Sequence, residues 1–103
     1  MPAFPKRQPV VLRFPEEDAR QDCWGRLERV SGTDAVLTTR ARLSRGDRVL
    51  LDFELGPESF QGVAAAVHDA QADADGYTEA ELRLTDEVQK RKLAAALLDI
   101  LSR

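Results

Sequence analysis

Hydrophobic and polar residues alternate with period two along most of this chain. That period is the mark of strands with one buried face. Val10, Leu12 and Phe14 alternate with Val11 and Arg13, which predicts a first strand, and the polar run PEEDARQD after it reads as a loop. A second strand is expected over residues 23–30. SGTD supplies turn chemistry, with Gly32 free to take a positive φ, and a third strand follows over 35–39. The fourth is the clearest: Val49, Leu51, Phe53 and Leu55 share one face, and Arg48, Asp52 and Glu54 share the other. Residues 60–67 form a fifth strand despite their alanines, because the segment is short and Gly62 weakens a helix. DAQADADG then reads as a hairpin loop. A sixth strand covers 77–84, with Thr78, Ala80, Leu82 and Leu84 inward and Glu79, Glu81 and Arg83 outward.

The period changes at the C-terminus. Leu93, Leu97 and Leu101 recur every four residues, flanked by Ala94, Leu98 and Ile100, and predict an amphipathic helix over 86–102. Thr85 or Asp86 can cap it, and Asp86 and Glu87 suit the positive end of its dipole. The first nine residues hold Pro2, Pro5 and Pro9 and form an extended arm, residues 1–9. Six short strands over 10–84, without crossover helices, argue for a small antiparallel barrel or half-barrel covered by the helix. The chain of 103 residues is enough for one such domain.

Composition narrows the function classes. The net charge is -3, but residues 1–48 hold ten basic and seven acidic residues, whereas 49–103 hold five and eleven. The first half therefore offers a basic face to an anion or an acidic partner. An acidic chain with singly scattered aromatics is a poor nucleic-acid binder. No apolar run approaches the roughly 20 residues that span a bilayer, and the N-terminus has no apolar signal core, so a cytoplasmic protein is expected.

Nothing assembles a catalytic or metal centre. His68 is the single histidine and reads as a strand-end polar residue. Ser31 has no evident base or orienting group. Asp69, Asp73 and Asp75 lack the spacing and closing glutamate of a calcium loop and read as a solvated hairpin. Cys23 reads as a small hydrophobe. Trp24 stands beside it, so on a regular strand one of the two faces outward; Trp24 is either core or, if outward, an interface anchor.

The order of parts resembles the PilZ family across nearly the whole chain. The pieces are the proline-marked arm, GRLERVSGTDAVLTT, LSRGDRVLLDFEL, an alanine-valine strand, and the tail GYTEAELRLTDEVQKRKLAAALLDIL. The resemblance implies a mainly β fold, a six-stranded antiparallel barrel with a C-terminal α-helix, and a site for the bacterial second messenger cyclic di-GMP. That site pairs Arg-x-x-x-Arg on the arm with Asp/Asn-x-Ser-x-x-Gly after the second strand. Guanidinium groups clamp phosphate and bond guanine. Here Arg7 matches the second arginine, but the position four residues earlier is Ala3. Ser31 matches the serine, but Arg29 stands at the acidic position and Asp34 at the glycine.

The expectation is a non-enzymatic PilZ-like adaptor that binds no cofactor. It acts through contacts with a bacterial signalling or motility protein, in motility, type IV pilus, polarity or biofilm regulation, and a homo-oligomer stays open. Arg7, Trp24, Arg26, Arg29, Arg40 and Arg42, with Arg45 nearby, form the expected protein-binding surface. The alternative is a cyclic di-GMP receptor with an atypical site built on Arg7, Arg29 and Ser31, with Arg26 as a further candidate.

Overall fold

From Arg48 to Leu55 every second side chain is apolar, and this set (Val49, Leu51, Phe53 and Leu55) is buried in the computed structural model. The structure describes residues 3–4, 8–15 and 20–102. It contains β1 (Ala3–Phe4), β2 (Gln8–Arg13), β3 (Cys23–Ser31), β4 (Asp34–Thr39), β5 (Arg48–Leu55), β6 (Glu58–Ala72), β7 (Thr78–Leu84) and α1 (Glu87–Leu101). The strands pair antiparallel in the order β1-β3-β2-β5-β6-β7-β4, and β4 pairs back onto β3. Strands β2 to β7 therefore close into a six-stranded barrel, and closure leaves no long free edge. The two-residue β1 continues β2 along the same side of β3, with Ala3 opposite Ser31 and Phe4 opposite Val30. The described parts of the arm, residues 3–4 and 8–9, are paired into the sheet.

Three bulges curl the sheet: at Glu28 in β3, at Gln61–Gly62 in β6 opposite Asp52, and at His68 in β6. Gly62 takes φ +66°, where a side chain would be strained. The Asp52 carboxylate accepts the Gly62 N–H at 2.7 Å and bonds Arg13 Nη2 at 2.9 Å. Partial burial alone would raise the Asp52 pKa, but the Gly62 hydrogen bond and Arg13 outweigh it and leave it below its ordinary 3.8. A carboxylate depressed on folding contributes stability above its unfolded pKa and loses it as pH falls through the folded pKa. Asp52→Asn should therefore flatten the loss of stability below about pH 4. Chemical denaturation at stepped pH checks this, and an unchanged acid profile would contradict it.

Helix α1 covers the barrel end at which β3 turns into β4 and β5 into β6. Asp86 caps it, its carboxylate accepting the Gln89 N–H at 2.9 Å. Leu93 and Leu97 join the barrel core. Gln89 acts as a short strand substitute: its Oε1 accepts the Ala64 N–H and its Nε2 donates to the Gly62 carbonyl, both at 2.8 Å. This satisfies β6 just before its pairing with β7 begins at Ala65.

Three expectations change. Gly32 is not at positive φ; it is small because a Cβ there would sit 3.0 Å from the Ala94 Cβ of α1. Leu101 is not on the buried stripe, which consists of Leu93, Ala96 and Leu97, because each four-residue step turns the helix about 40° past a full turn, and Ile100 of the last turn packs on the core instead. Residues 69–72 are not loop but the outer end of β6, paired with β7, which pairs with β4 on its other side. Ala70 alone of these four packs against the core, so the segment shows no apolar alternation. The hairpin tip is shorter, with the Asp73 carboxylate accepting the N–H groups of Asp75 and Tyr77 at 2.8 and 3.0 Å.

Candidate functional site

The outer face of β3 carries most of the side chains singled out in the sequence. Before the Glu28 bulge, Leu27 is buried and Gly25 and Cys23 turn inward, so Trp24 and Arg26 point out. Trp24 is 69% exposed. The bulge resets the alternation, which leaves Arg29 exposed and Val30 buried. A line of Trp24, Arg26, Arg29 and Ser31 thus runs along one strand toward the α1 end.

Trp24 stands between two clefts. On one side Val11 of β2 pairs across from it, and Pro9, Phe60 and Asp52 continue the wall of a space of about 420 Å³. Phe60 is held by stacking on the buried Phe53, with ring centroids 5.6 Å apart. On the other side Arg26, Thr38, Arg40 and Tyr77 line a space of about 690 Å³. The Arg40 guanidinium lies 4.7 Å from the Tyr77 ring centroid and bonds its hydroxyl at 3.3 Å. Arg42 is elsewhere. It is exposed in the connection after β4 and lines a different cleft with Phe14, Arg20 and Asp47, and Arg45 is exposed in the same connection. Arg7 lies outside the described residues.

Among the described residues, Arg26 and Arg29 have no carboxylate partner. Their cross-strand neighbours on β4 are uncharged: Thr38 opposite Arg26 and Val36 opposite Arg29. One strand further, β7 places Glu79 opposite Thr38 and Glu81 opposite Val36. Two strand spacings are about 10 Å, so a basic row and an acidic row lie parallel without neutralising each other by contact. Tyr77 was not singled out from the sequence. Its parity with Glu79 and Glu81 was the available signal, since it puts Tyr77 on the outer face.

The β3–β4 turn has a different character. The Ser31 hydroxyl accepts the N–H groups of Asp34 at 3.1 Å and Thr33 at 3.3 Å, which makes it the closing group of its own turn. The Asp34 carboxylate accepts the Thr33 hydroxyl at 2.8 Å. Helix α1 packs on this turn through Ala94 against Gly32. The register brings position 3 directly across from Ser31. The positions of the two nucleotide motifs described here, 3, 29, 31 and 34, are therefore brought to one place. The residues on them are alanine, arginine, a serine engaged within its turn, and aspartate.

Solved structures match this arrangement over nearly its full length. One is the PilZ domain of CeSA from a cellulose synthesizing bacterium, with a TM-score of 0.67 and 20% identity over 98% of both chains. The fold is that of a PilZ domain. A second match is the Bacillus subtilis inhibitor of motility MotI/DgrA, with a TM-score of 0.67 and 14% identity over 99% of this chain. This chain spans about half of that protein, 51% of its length. No protein-family model matches the sequence, and no curated protein matches it. The PilZ fold is thus carried here by the barrel and its capping helix, with little sequence identity behind it. Among the described residues no helix is long and apolar enough to cross a membrane.

Proposed function

We propose that this PilZ-like chain is a non-enzymatic, cytoplasmic regulatory module that works through protein contacts made by the outer face of β3. Cyclic di-GMP is not its ligand at physiological concentrations. The observation that carries the reading is Trp24, 69% exposed between two clefts and flanked by Arg26, which has no partner among the described residues. A large aromatic with unpaired arginines beside it is the composition of an interface anchor. Carboxylates on a partner suit the arginines, and the acidic row on β7 adds the opposite sign about 10 Å away, which fixes orientation. Against the nucleotide stand Ala3, Arg29 and Asp34 at motif positions, and a Ser31 hydroxyl that already closes its own turn. A setting in bacterial signalling or motility control follows by likeness to the fold's other members, one of which is an inhibitor of motility.

The test is a Trp24→Ala, Arg26→Glu variant in a cell that needs the protein. Both side chains are exposed, so the melting temperature should stay at the wild-type value. Loss of a hot-spot aromatic costs about 2 kcal/mol or more, so partner affinity should fall about thirtyfold or more and the phenotype should approach deletion. Normal function with this variant would move the interface off β3.

A further inference from the structure

We infer that α1 is a self-association element: two copies of this chain pair antiparallel through the outward faces of their helices, about a two-fold axis at Ala95. The inference is independent of the β3 reading. Among the described residues the exposed large aliphatic side chains are Val88 at 62%, Leu98 at 57% and Leu101 at 48%, and all three lie on α1. The helix turns Leu93, Ala96 and Leu97 into the barrel. Its opposite side therefore presents Val88, Arg91, Ala95 and Leu98, and all four are exposed.

The stripe is self-complementary in one orientation. A two-fold axis at Ala95 sets this small side chain against its own copy, which permits close approach of the helix axes. The antiparallel register then lays Leu98 over the aliphatic stem of the partner's Arg91. It also brings Lys92 and Arg91 within reach of the partner's Asp99, giving two sets of opposite charges related by the axis. A parallel arrangement would instead align Arg91 and Lys92 with their own copies. Each barrel lies behind its own helix, so the barrels point away from each other and do not collide. The 15-residue helix is about 22 Å long. Two such helices back to back bury on the order of 800 Å² in total, below the standard interface of about 1,600 Å². The dimer is thus a concentration-dependent one.

Sedimentation velocity on the full chain, loaded from about 1 to 300 μM, tests this over the dissociation constants expected of a small interface. The wild type should move from the 11.5 kDa monomer toward twice that mass as concentration rises. Ala95→Glu sets two carboxylates against each other at the axis and should raise the dimer dissociation constant more than tenfold, with an unchanged melting temperature. Should that variant misfold, charge exchange decides instead. Asp99→Lys should weaken the dimer, and adding Arg91→Glu and Lys92→Glu should restore it. A wild type that stays monomeric throughout overturns the inference and leaves the stripe to a different partner. A dimer that ignores both Ala95→Glu and the charge exchange overturns it too.

Discussion

Leu97→Ala should lower the unfolding free energy by about 2–5 kcal/mol, the range for truncating a fully buried leucine. Leu97 is 1% exposed and Leu93 beside it is 0% exposed, and both belong to the barrel's own cluster. The loss is more than a missing contact. Truncation leaves a cavity where the helix closes the barrel end, and Gln89, which fastens α1 to β6, sits on the same helix. For a domain of this size each kcal/mol shifts the melting temperature by about 4–8 °C, so the midpoint should fall by at least about 8 °C. Leu98→Ala is the control, since Leu98 is 57% exposed and its truncation should move the melt little. Equal melting of Leu97→Ala and wild type would mean that α1 is not part of the cooperative fold.

The second large effect is a gain. Ala3→Arg, Arg29→Asp and Asp34→Gly together should turn the chain into a cyclic di-GMP binder, because Arg7 and Ser31 already match the motif. The frame is in place: position 3 is opposite Ser31, and Asp34 donates its N–H to the Ser31 hydroxyl. Each restored charged contact is worth about 2 kcal/mol. Two of them, with one repulsive carboxylate removed, should take the dissociation constant from beyond measurement into the micromolar range. Asp34 has no positive φ, so the glycine serves to remove a carboxylate. Its cost in a strand is about 0.5–1 kcal/mol, small enough to leave the variant folded. Calorimetric titration reads the outcome. A folded triple variant with no binding would mean that these three residues are not what excludes the nucleotide.

Much of the barrel is legible in the sequence because each strand has one wet and one dry face. The alternation of β5 and β7 gives their buried sets residue by residue. Legibility fails where the reason is tertiary. Gly32 looks like a turn glycine, and only the docked helix reveals that it makes room for Ala94. The outer end of β6 looks like loop because Ala70 alone of residues 69–72 turns toward the core, which leaves no apolar alternation to read. Bulges at Glu28 and His68 shift the alternation by one residue, and no local composition announces them. The site is half legible. Arg26 shares a parity with Trp24, so the outward tryptophan was readable from its neighbour. The engagement of the Ser31 hydroxyl with two backbone N–H groups was not, because the same serine serves a turn or a ligand equally well.

Titration of the unmodified chain with cyclic di-GMP tests the central claim most directly. With protein at about 50 μM and nucleotide taken to several hundred micromolar, the heats should be indistinguishable from dilution, or show binding weaker than about 10 μM. Saturable one-site binding tighter than about 10 μM, roughly -7 kcal/mol, would contradict it and make this chain a receptor with an atypical site.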